Sequence, residues 1–275
     1  LVVPGVFSHE ECDTINGRLR RFANVDFAPV MNPDRPEYLL AQYTACKLGI
    51  QPSDDSPRIG PIVDKIQAIL QYPPPRLQAE ALGLSEGQLG EVYATSAFLR
   101  NVMLDQRQRD ILETLQGREV VALMSQVIYK EAGTRFAKEQ GWKPHQDNSY
   151  PKNQNGQYIT TNLFLADADK ENGTLYMYPG SHKLGLLGSE ETQSFREAKG
   201  SAPGNRTQMP SIWEDAHYDV NFKKGDLLVL NGNCIHGSYP NHSDRSRPLY
   251  SQSLISKGEP FVPGPNARRM EIPLR

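Results

Sequence analysis

Two histidines and an aspartate in the second half of the chain carry the side chains of a transition-metal site. His145 and Asp147 are two residues apart, and His236 follows 91 residues after His145. Residues two apart in an extended segment point to the same side, so the imidazole of His145 and the carboxylate of Asp147 can converge on one ion. His236 follows a strongly apolar predicted strand, residues 227–230, and can supply a third ligand. These three side chains predict a metal centre.

Two neutral imidazoles and one carboxylate on a single face of an octahedral ion leave three coordination positions open. This facial triad is diagnostic of non-haem iron(II) oxygenases, which bind a co-substrate and dioxygen at the open positions. A His-x-Asp pair alone is a weak signal, because such tripeptides also occur by chance in surface turns. The metal hypothesis therefore depends on further residues that would bind the co-substrate.

An arginine and a serine downstream of His236 are suited to bind the co-substrate 2-oxoglutarate. Ser238 lies two residues after His236, and Arg247 lies eleven residues after it on the next predicted strand. The distal carboxylate of an iron-chelated 2-oxoglutarate needs a partner. A planar guanidinium offers it two charge-assisted hydrogen bonds, and a hydroxyl can add a third. The alternative for Arg247 is a solvated arginine, but its position after the histidine favours it over Arg245.

Further short motifs surround these residues along the chain. In chain order, the segments are residues 1–7, 10–12, 145–147, 171–175, 179–183, 225–226, 236–238 and 240–243, followed by Arg247. In order and spacing they resemble the phytanoyl-CoA dioxygenase family of iron and 2-oxoglutarate oxygenases, over most of the chain from about Val2 to Leu254.

The resemblance implies a fold and a set of site residues. The fold is mainly β with flanking helices around a double-stranded β-helix, a cupin-like jelly-roll with the iron at one open end. The implied iron ligands are His145, Asp147 and His236. Arg247 and Ser238 are implied at the distal carboxylate of 2-oxoglutarate.

Two polar residues on predicted strands are assigned by a looser analogy. Gln126 and Asn162 would point from neighbouring strands toward the co-substrate. Either residue is equally well explained as a hydrogen-bonded polar group of the core.

The resemblance also implies the reaction and its cofactors. Fe(II) would act with 2-oxoglutarate and O2 as co-substrates, with ascorbate as a supporting reductant. The expected outcome is hydroxylation of a small metabolite or natural-product intermediate, with release of succinate and CO2; desaturation, epoxidation or cyclisation is equally compatible with these residues. Halogenation is disfavoured, because related halogenating enzymes have a small residue where this chain keeps Asp147.

Two other classes of protein share parts of the pattern. A non-catalytic jelly-roll protein that senses metal or 2-oxoglutarate would keep the metal site, but it has no reason to keep triad, arginine and serine together. A cupin-type hydrolase or isomerase also has histidines on a β-barrel. Such sites use more histidines at closer spacing and have no role for Arg247.

The predicted secondary structure that positions these residues changes from helices to strands near Gly117. Before it, helical spacing of apolar residues and a capping box at Ser8 and Glu11 predict helices; after it, β-branched and aromatic runs between turn signals predict strands. Helices are predicted over residues 9–23, 61–71 and about 105–116, with Gly117 as the last stop signal. Strands are predicted over residues 120–129, 158–165, 174–178, 226–230 and 249–255.

The chain is predicted to form one domain, residues 1–275. In it a helical portion of about residues 1–117 packs on a jelly-roll core of about residues 118–260. A separately folding helical module that ends near residue 117 is the alternative. Residues 187–212 are predicted to form a long surface loop.

The bulk composition indicates what the protein binds and where it acts. With 30 Lys and Arg against 32 Asp and Glu, the formal charge of -2 gives no basic field that would attract nucleic acid or an anionic membrane. No apolar run approaches the roughly 20 residues that span a bilayer, and the N-terminal segment lacks signal-peptide features. Cys12, Cys46 and Cys234 are scattered, which predicts neither a disulfide framework nor a zinc site. The expected protein is cytoplasmic with a small-molecule substrate, and no oligomeric state follows from the sequence.

Overall fold

A computed structural model of the chain describes residues 1–23, 87, 94, 98–130, 132–133, 137–138, 141–192, 204–213, 215–263, 269 and 271–274. The helix predicted at residues 61–71 lies outside these residues. Among the described residues, no helix is both long and apolar enough to cross a lipid bilayer.

Two helices of the N-terminal portion begin and end where the sequence predicts. Helix α1 spans His9–Ala23 and helix α2 spans Gln106–Gln116. At the start of α1, the Glu11 backbone N–H donates to the Ser8 hydroxyl at 3.1 Å and the Ser8 N–H donates to the Glu11 carboxylate at 2.7 Å. This reciprocal pair is the predicted capping box. Gly117 ends α2 at φ 67°, a left-handed conformation that costs glycine little, so the predicted stop is confirmed as well.

Antiparallel strands form the β portion of the described structure. They are β1 (Val2–Val3), β2 (Val120–Lys130), β3 (Trp142–His145), β4 (Tyr158–Phe164), β5 (Leu175–Met177), β6 (Ser189–Thr192), β7 (Gly204–Thr207), β8 (Tyr218–Asp219), β9 (Leu227–Asn231), β10 (His236–Ser238), β11 (Arg247–Ser256) and β12 (Ile272–Pro273). The large sheet has the order β1-β9-β4-β11-β2-β12, and the small sheet has the order β3-β10-β5-β8. The predicted mainly β, jelly-roll fold class is confirmed.

The five predicted strands correspond to β2, β4, β5, β9 and β11, but one predicted loop differs from the structure. Residues 187–212 are not one long loop, because β6 and β7 pair within this range. This ribbon is polar, with Ser189 and Glu190 of β6 exposed, so the sequence shows no alternating apolar pattern there. Residues 141–144 suggest a turn through their glycine and proline, yet β3 begins at Trp142 and pairs with β10.

The two faces of the large sheet have different roles. One face packs against the helical portion, where side chains such as Leu163 and Tyr250 join Leu19 and Leu99 in the main hydrophobic core. The Tyr250 hydroxyl also donates to the Leu99 carbonyl at 2.9 Å. A buried leucine of this kind contributes about 1.5–3 kcal/mol. This core fixes the sheet, whose opposite face is directed toward the predicted site.

Candidate metal centre and co-substrate site

The structure brings the three predicted metal ligands together at the edge of the small sheet. His145 ends β3 and lies opposite His236, the first residue of β10. Gln146 is extended, and Asp147 then opens a short 3₁₀ turn, Asp147–Ser149. One ligand atom from each of the three side chains lies within 4.8 Å of the others. His145 Nε2 is 3.4 Å from Asp147 Oδ1, and His236 Nε2 is 3.6 Å from Asp147 Oδ2.

Backbone carbonyls orient both imidazoles. His145 Nδ1 lies 2.8 Å from the Lys143 carbonyl, and His236 Nδ1 lies 3.1 Å from the Cys234 carbonyl. A carbonyl can only accept, so each Nδ1 carries the hydrogen and each Nε2 presents its lone pair. This is the arrangement in which a histidine binds a metal through Nε2.

Asp147 is held as a carboxylate. Thr160 on β4 donates its hydroxyl to Asp147 Oδ2 at 3.0 Å. Burial alone would raise the pKa of Asp147, but the neighbouring imidazoles of His236 and His145, when protonated, outweigh it through charge and a hydrogen bond and hold this pKa below its usual value. Burial lowers the pKa of His236, which favours its neutral, metal-binding form.

The pKa of His145 shifts the other way. Burial opposes the charged form, but the hydrogen bond to Asp147 outweighs burial and raises the pKa. The donor set of two imidazole nitrogens and one carboxylate fits a first-row transition metal with open positions, whereas calcium and magnesium require oxygen ligands. The residues present therefore fit iron.

Arg247 is buried without an acidic partner. It is the first residue of β11, is only 1% exposed, and its Nε and Nη1 have no hydrogen-bond partner among the described residues. Burial lowers its pKa to about 9. Arg245, in contrast, is largely exposed and pairs with Asp169 at 2.7 Å. Because a buried, unpaired guanidinium is costly, Arg247 rather than Arg245 is suited to receive an anion.

Ser238 contacts a lysine, Lys130, that the sequence did not single out and that lies opposite Arg247. Ser238 is 5% exposed, and its hydroxyl accepts a hydrogen bond at 2.8 Å from Lys130 Nζ. Lys130 ends β2 directly opposite Arg247 on β11 and is fully buried. Its only sequence signal is a lysine that closes an apolar run, a position where lysine is normally solvated.

Asn162 lies on the face of β4 that is directed toward Asp147. It has the same parity along the strand as Thr160, which contacts Asp147, and it pairs with Ser251 of β11. Asn162 is 5% exposed. The backbone of Gln126 pairs with Ser251 from the other side, but the side chain of Gln126 lies outside the described structure.

An aromatic residue, a methionine and a cysteine also lie on the segments that carry or adjoin the triad. The Trp142 ring lies 5.9 Å from that of His145, and Met177 is the register partner of His236 on β5. Cys234 is a buried core residue, with its sulfur 3.9 Å from the Ser181 hydroxyl. Within the described chain, the triad is the one cluster of His, Cys, Asp or Glu with metal-site geometry.

Comparison with known proteins decides the family. A model of the phytanoyl-CoA dioxygenase (PhyH) family matches residues 1–249. The chain belongs to this family. As a PhyH-family protein with a His-Asp-His site, it is an iron- and 2-oxoglutarate-dependent oxygenase.

Individual relatives have low sequence identity to this chain. "Phytanoyl-CoA dioxygenase domain-containing protein 1" of Danio rerio is 26% identical over 267 residues, which cover 93% of this chain and 85% of the relative. "Phytanoyl-CoA dioxygenase" of Arabidopsis thaliana is 30% identical over 149 residues, or 53% of this chain and 48% of the relative. A solved structure described as a non-heme monooxygenase, ThoJ in its apo form, covers 76% of this PhyH-family chain and 75% of its own, with 17% identity and a TM-score of 0.52. This last likeness supports the fold.

Proposed function

We propose that the protein hydroxylates an unactivated C–H bond of a small metabolite or natural-product intermediate. The balanced reaction consumes the substrate R–H, O2 and 2-oxoglutarate and gives R–OH, succinate and CO2. The observation that carries this proposal is a buried, unpaired Arg247 in the same fold as a facial His-Asp-His triad. A dicarboxylate co-substrate explains both features at once.

Each residue of the site has a separate role in the proposal. His145, Asp147 and His236 hold iron, which when bound supplies the activation of dioxygen. Arg247 and Ser238 bind the distal carboxylate of 2-oxoglutarate and so fix its orientation. Their burial keeps water away from that contact, and retention of Asp147 argues against halogenation.

Asn162 and Gln126 complete the proposed co-substrate pocket. The amide of Asn162 lies on the face of β4 that carries Thr160. An amide at this place can donate to a carboxylate oxygen or accept from water. The role of Gln126 rests on the family resemblance alone. The substrate is proposed to be a small molecule because the net charge of -2 gives no overall basic field that would attract nucleic acid.

Succinate formation tests the proposed function. Protein loaded with Fe(II) under anaerobic conditions receives 2-oxoglutarate, ascorbate and air, together with fractionated cell extract as a source of substrate. We expect one fraction to raise succinate and to yield a product heavier by one oxygen. A product lighter by two hydrogens would replace hydroxylation by desaturation, and iron-independent succinate would refute the site.

Single substitutions provide the control for that assay. His145→Ala and Asp147→Ala should abolish fraction-dependent succinate while the circular-dichroism spectrum stays that of the parent protein. Full turnover in either variant would remove the residue from the iron site. Binding of iron and 2-oxoglutarate with no turnover for any fraction would favour a sensor.

A further inference from the structure

A pair of hydroxyl groups lies beside the metal centre on the inner face of the large sheet. Ser253 of β11 is the register partner of Thr160 on β4, the residue that donates to Asp147. Register partners on antiparallel strands point to the same face, so Ser253 faces the metal centre as well. Tyr158 lies two residues before Thr160 on this face and donates its phenol to the Ser253 hydroxyl at 2.7 Å.

The pair occupies the end of the site that is remote from Arg247. Alternate residues of β11 share one face, and Arg247 begins the row that contains Ser253, six residues further on. Ser253 lies level with Thr160, and Tyr158 pairs with Ile255 one step beyond. The Arg247 end is proposed for the co-substrate, so the end at Ser253 is left for the primary substrate.

Residual exposure indicates open space over this part of β11. Ser251 and Ser253 are 7% and 8% exposed, whereas Tyr250 and Leu254, which point to the opposite face, are 0% and 1% exposed. Because β11 lies between β4 and β2 in the sheet, the two serines are reached from the inner face. Met124, the partner of Ser253 on β2, is half-buried. A small group can therefore contact the Ser253 hydroxyl.

The chemistry of the pair suits a neutral oxygen. A phenol is a stronger donor than an aliphatic alcohol, so Tyr158 donates and Ser253 accepts, which leaves the hydroxyl hydrogen of Ser253 to donate to a further oxygen. Burial, followed by the charge of Asp147, raises the pKa of Tyr158, so the phenol stays neutral. The ring packs with Leu123 and Ile255. A charged group placed against this pair would lose hydration without gaining a counter-ion from it.

We propose that Ser253, held by Tyr158, is a specificity-determining residue that binds a neutral oxygen of the primary substrate, in an alcohol, ether or carbonyl group. The hydroxyl of Ser253 donates to that oxygen and so places a neighbouring C–H bond at the metal. Met124 is unbranched and adapts to the carbon skeleton beside this contact. This inference rests on the proposed function, because it assumes that the Arg247 end of the site holds 2-oxoglutarate.

Three cyclohexane derivatives test the chemistry of the contact. Cyclohexanol, cyclohexylamine and cyclohexanecarboxylate share one ring, and at neutral pH they are neutral, cationic and anionic. Each is added to protein that is loaded with Mn(II) and saturated with 2-oxoglutarate. NMR titration measures how strongly the bound Mn(II) shortens the relaxation times of the ring protons. This effect requires that the ring binds close to the metal, and it requires no turnover.

We expect the parent protein to enhance the relaxation of cyclohexanol more than that of the two charged probes. Ser253→Ala should weaken cyclohexanol binding about 3- to 10-fold, the range for losing one neutral hydrogen bond. Tyr158→Phe keeps the ring and should weaken binding by a smaller factor. Ser256→Ala is the matched control and should change nothing, because this serine of β11 donates to Gln157 at 3.0 Å and points to the opposite face.

The outcomes separate this role of Ser253 from the proposed function. If the bound Mn(II) does not relax the protons of 2-oxoglutarate itself in the parent protein, the proposed function fails and the role of Ser253 fails with it. If 2-oxoglutarate is relaxed but cyclohexanol is not, or if Ser253→Ala binds cyclohexanol as the parent does, only the role of Ser253 fails. Equal relaxation of all three probes would overturn the preference for a neutral group. Loss of 2-oxoglutarate binding in Ser253→Ala would make Ser253 a structural residue and overturn the proposal too.

Discussion

The hydroxyl of Thr160 links the metal centre to the large sheet. Thr160 donates to Asp147 Oδ2 at 3.0 Å, whereas its neighbour Thr161 points to the opposite face and has no partner for its buried hydroxyl among the described residues. Groups that orient a metal ligand typically change metal affinity 10- to 100-fold when they are removed. Asp147 is thus oriented by a strand that supplies no ligand of its own.

Replacement of each threonine by the isosteric valine tests this link. Thr160→Val should weaken binding of Fe(II) or Mn(II) by about 10-fold or more, since the carboxylate loses an orienting donor. Thr161→Val should leave metal affinity unchanged and should not lower stability, because it removes a hydroxyl without a partner. Metal titration followed by calorimetry measures both effects. Equal metal affinity in the two variants would contradict the orienting role of Thr160.

The two nearby arginines allow an equally direct comparison. Arg247→Ala should raise the 2-oxoglutarate concentration required for half-maximal succinate formation, because it removes a charge-assisted pair worth about 1.5–3 kcal/mol. Arg245→Ala should have little effect, since Arg245 lies at the surface beside Asp169. A higher 2-oxoglutarate requirement in the Arg245→Ala variant alone would contradict the placement of the co-substrate carboxylate at Arg247.

At the scale of elements, the start of α1 combines a capping box with an ion pair from α2. Arg107 of α2 binds the Glu11 carboxylate at 2.8 Å, while Ser8 donates its backbone N–H to the same side chain. Arg107 first and Ser8 second lower the pKa of Glu11 to about 2. The pair joins two elements that are far apart in sequence.

This depressed pKa predicts a pH-dependent contribution to stability. A carboxyl with a folded-state pKa below its unfolded value of about 4.5 stabilises the protein above that value, and the contribution is lost as the pH falls toward about 2. Because the Glu11 side chain is 43% exposed, solvent screening limits the gain to below about 1 kcal/mol. Urea unfolding should show that Glu11→Gln is less stable than the parent at pH 7, with the difference vanishing near pH 2. A difference that persists at low pH would mean that the charge is not responsible.

Elements with a local signal could be predicted from the sequence, and the others could not. Short-range sequence patterns predict the capping box of Ser8 and Glu11 and the apolar strands β2, β4, β9 and β11. Such patterns do not predict strand β3, because it carries Pro144 and owes its extended form to pairing with β10. The paired ribbon of β6 and β7 consists of polar residues and glycine and shows no alternating apolar pattern.

The candidate site divides in the same way. The triad and Arg247 could be proposed because their residue types and spacing are specific to one chemistry. Lys130 could not, because its significance appears only when β2 and β11 pair and place it beside Arg247. The position of Lys130 beside Arg247 is set by long-range strand register and not by local composition.

At the scale of the whole molecule, the helical portion and the jelly-roll share one core. Residues of α1 and α2, such as Ile15 and Leu112, pack with strand residues in the same buried cluster. Gln252 of β11 also donates to Gln108 of α2 at 2.9 Å, and both side chains are buried. These contacts support the proposal of a single domain over a separate helical module.

A single domain predicts one cooperative unfolding transition. Helical and β signals in circular dichroism, together with tryptophan fluorescence, should change at the same denaturant concentration. Cavity formation by Leu112→Ala in α2 should lower the midpoint of every probe, with a cost of about 2–5 kcal/mol. If the helical portion folded by itself, the Leu112→Ala protein would instead lose helix first and keep Mn(II)-dependent binding of 2-oxoglutarate in the remaining jelly-roll. A common shift of all probes would mean that the face of the large sheet that carries Arg247 is held in place by the helices on its other side.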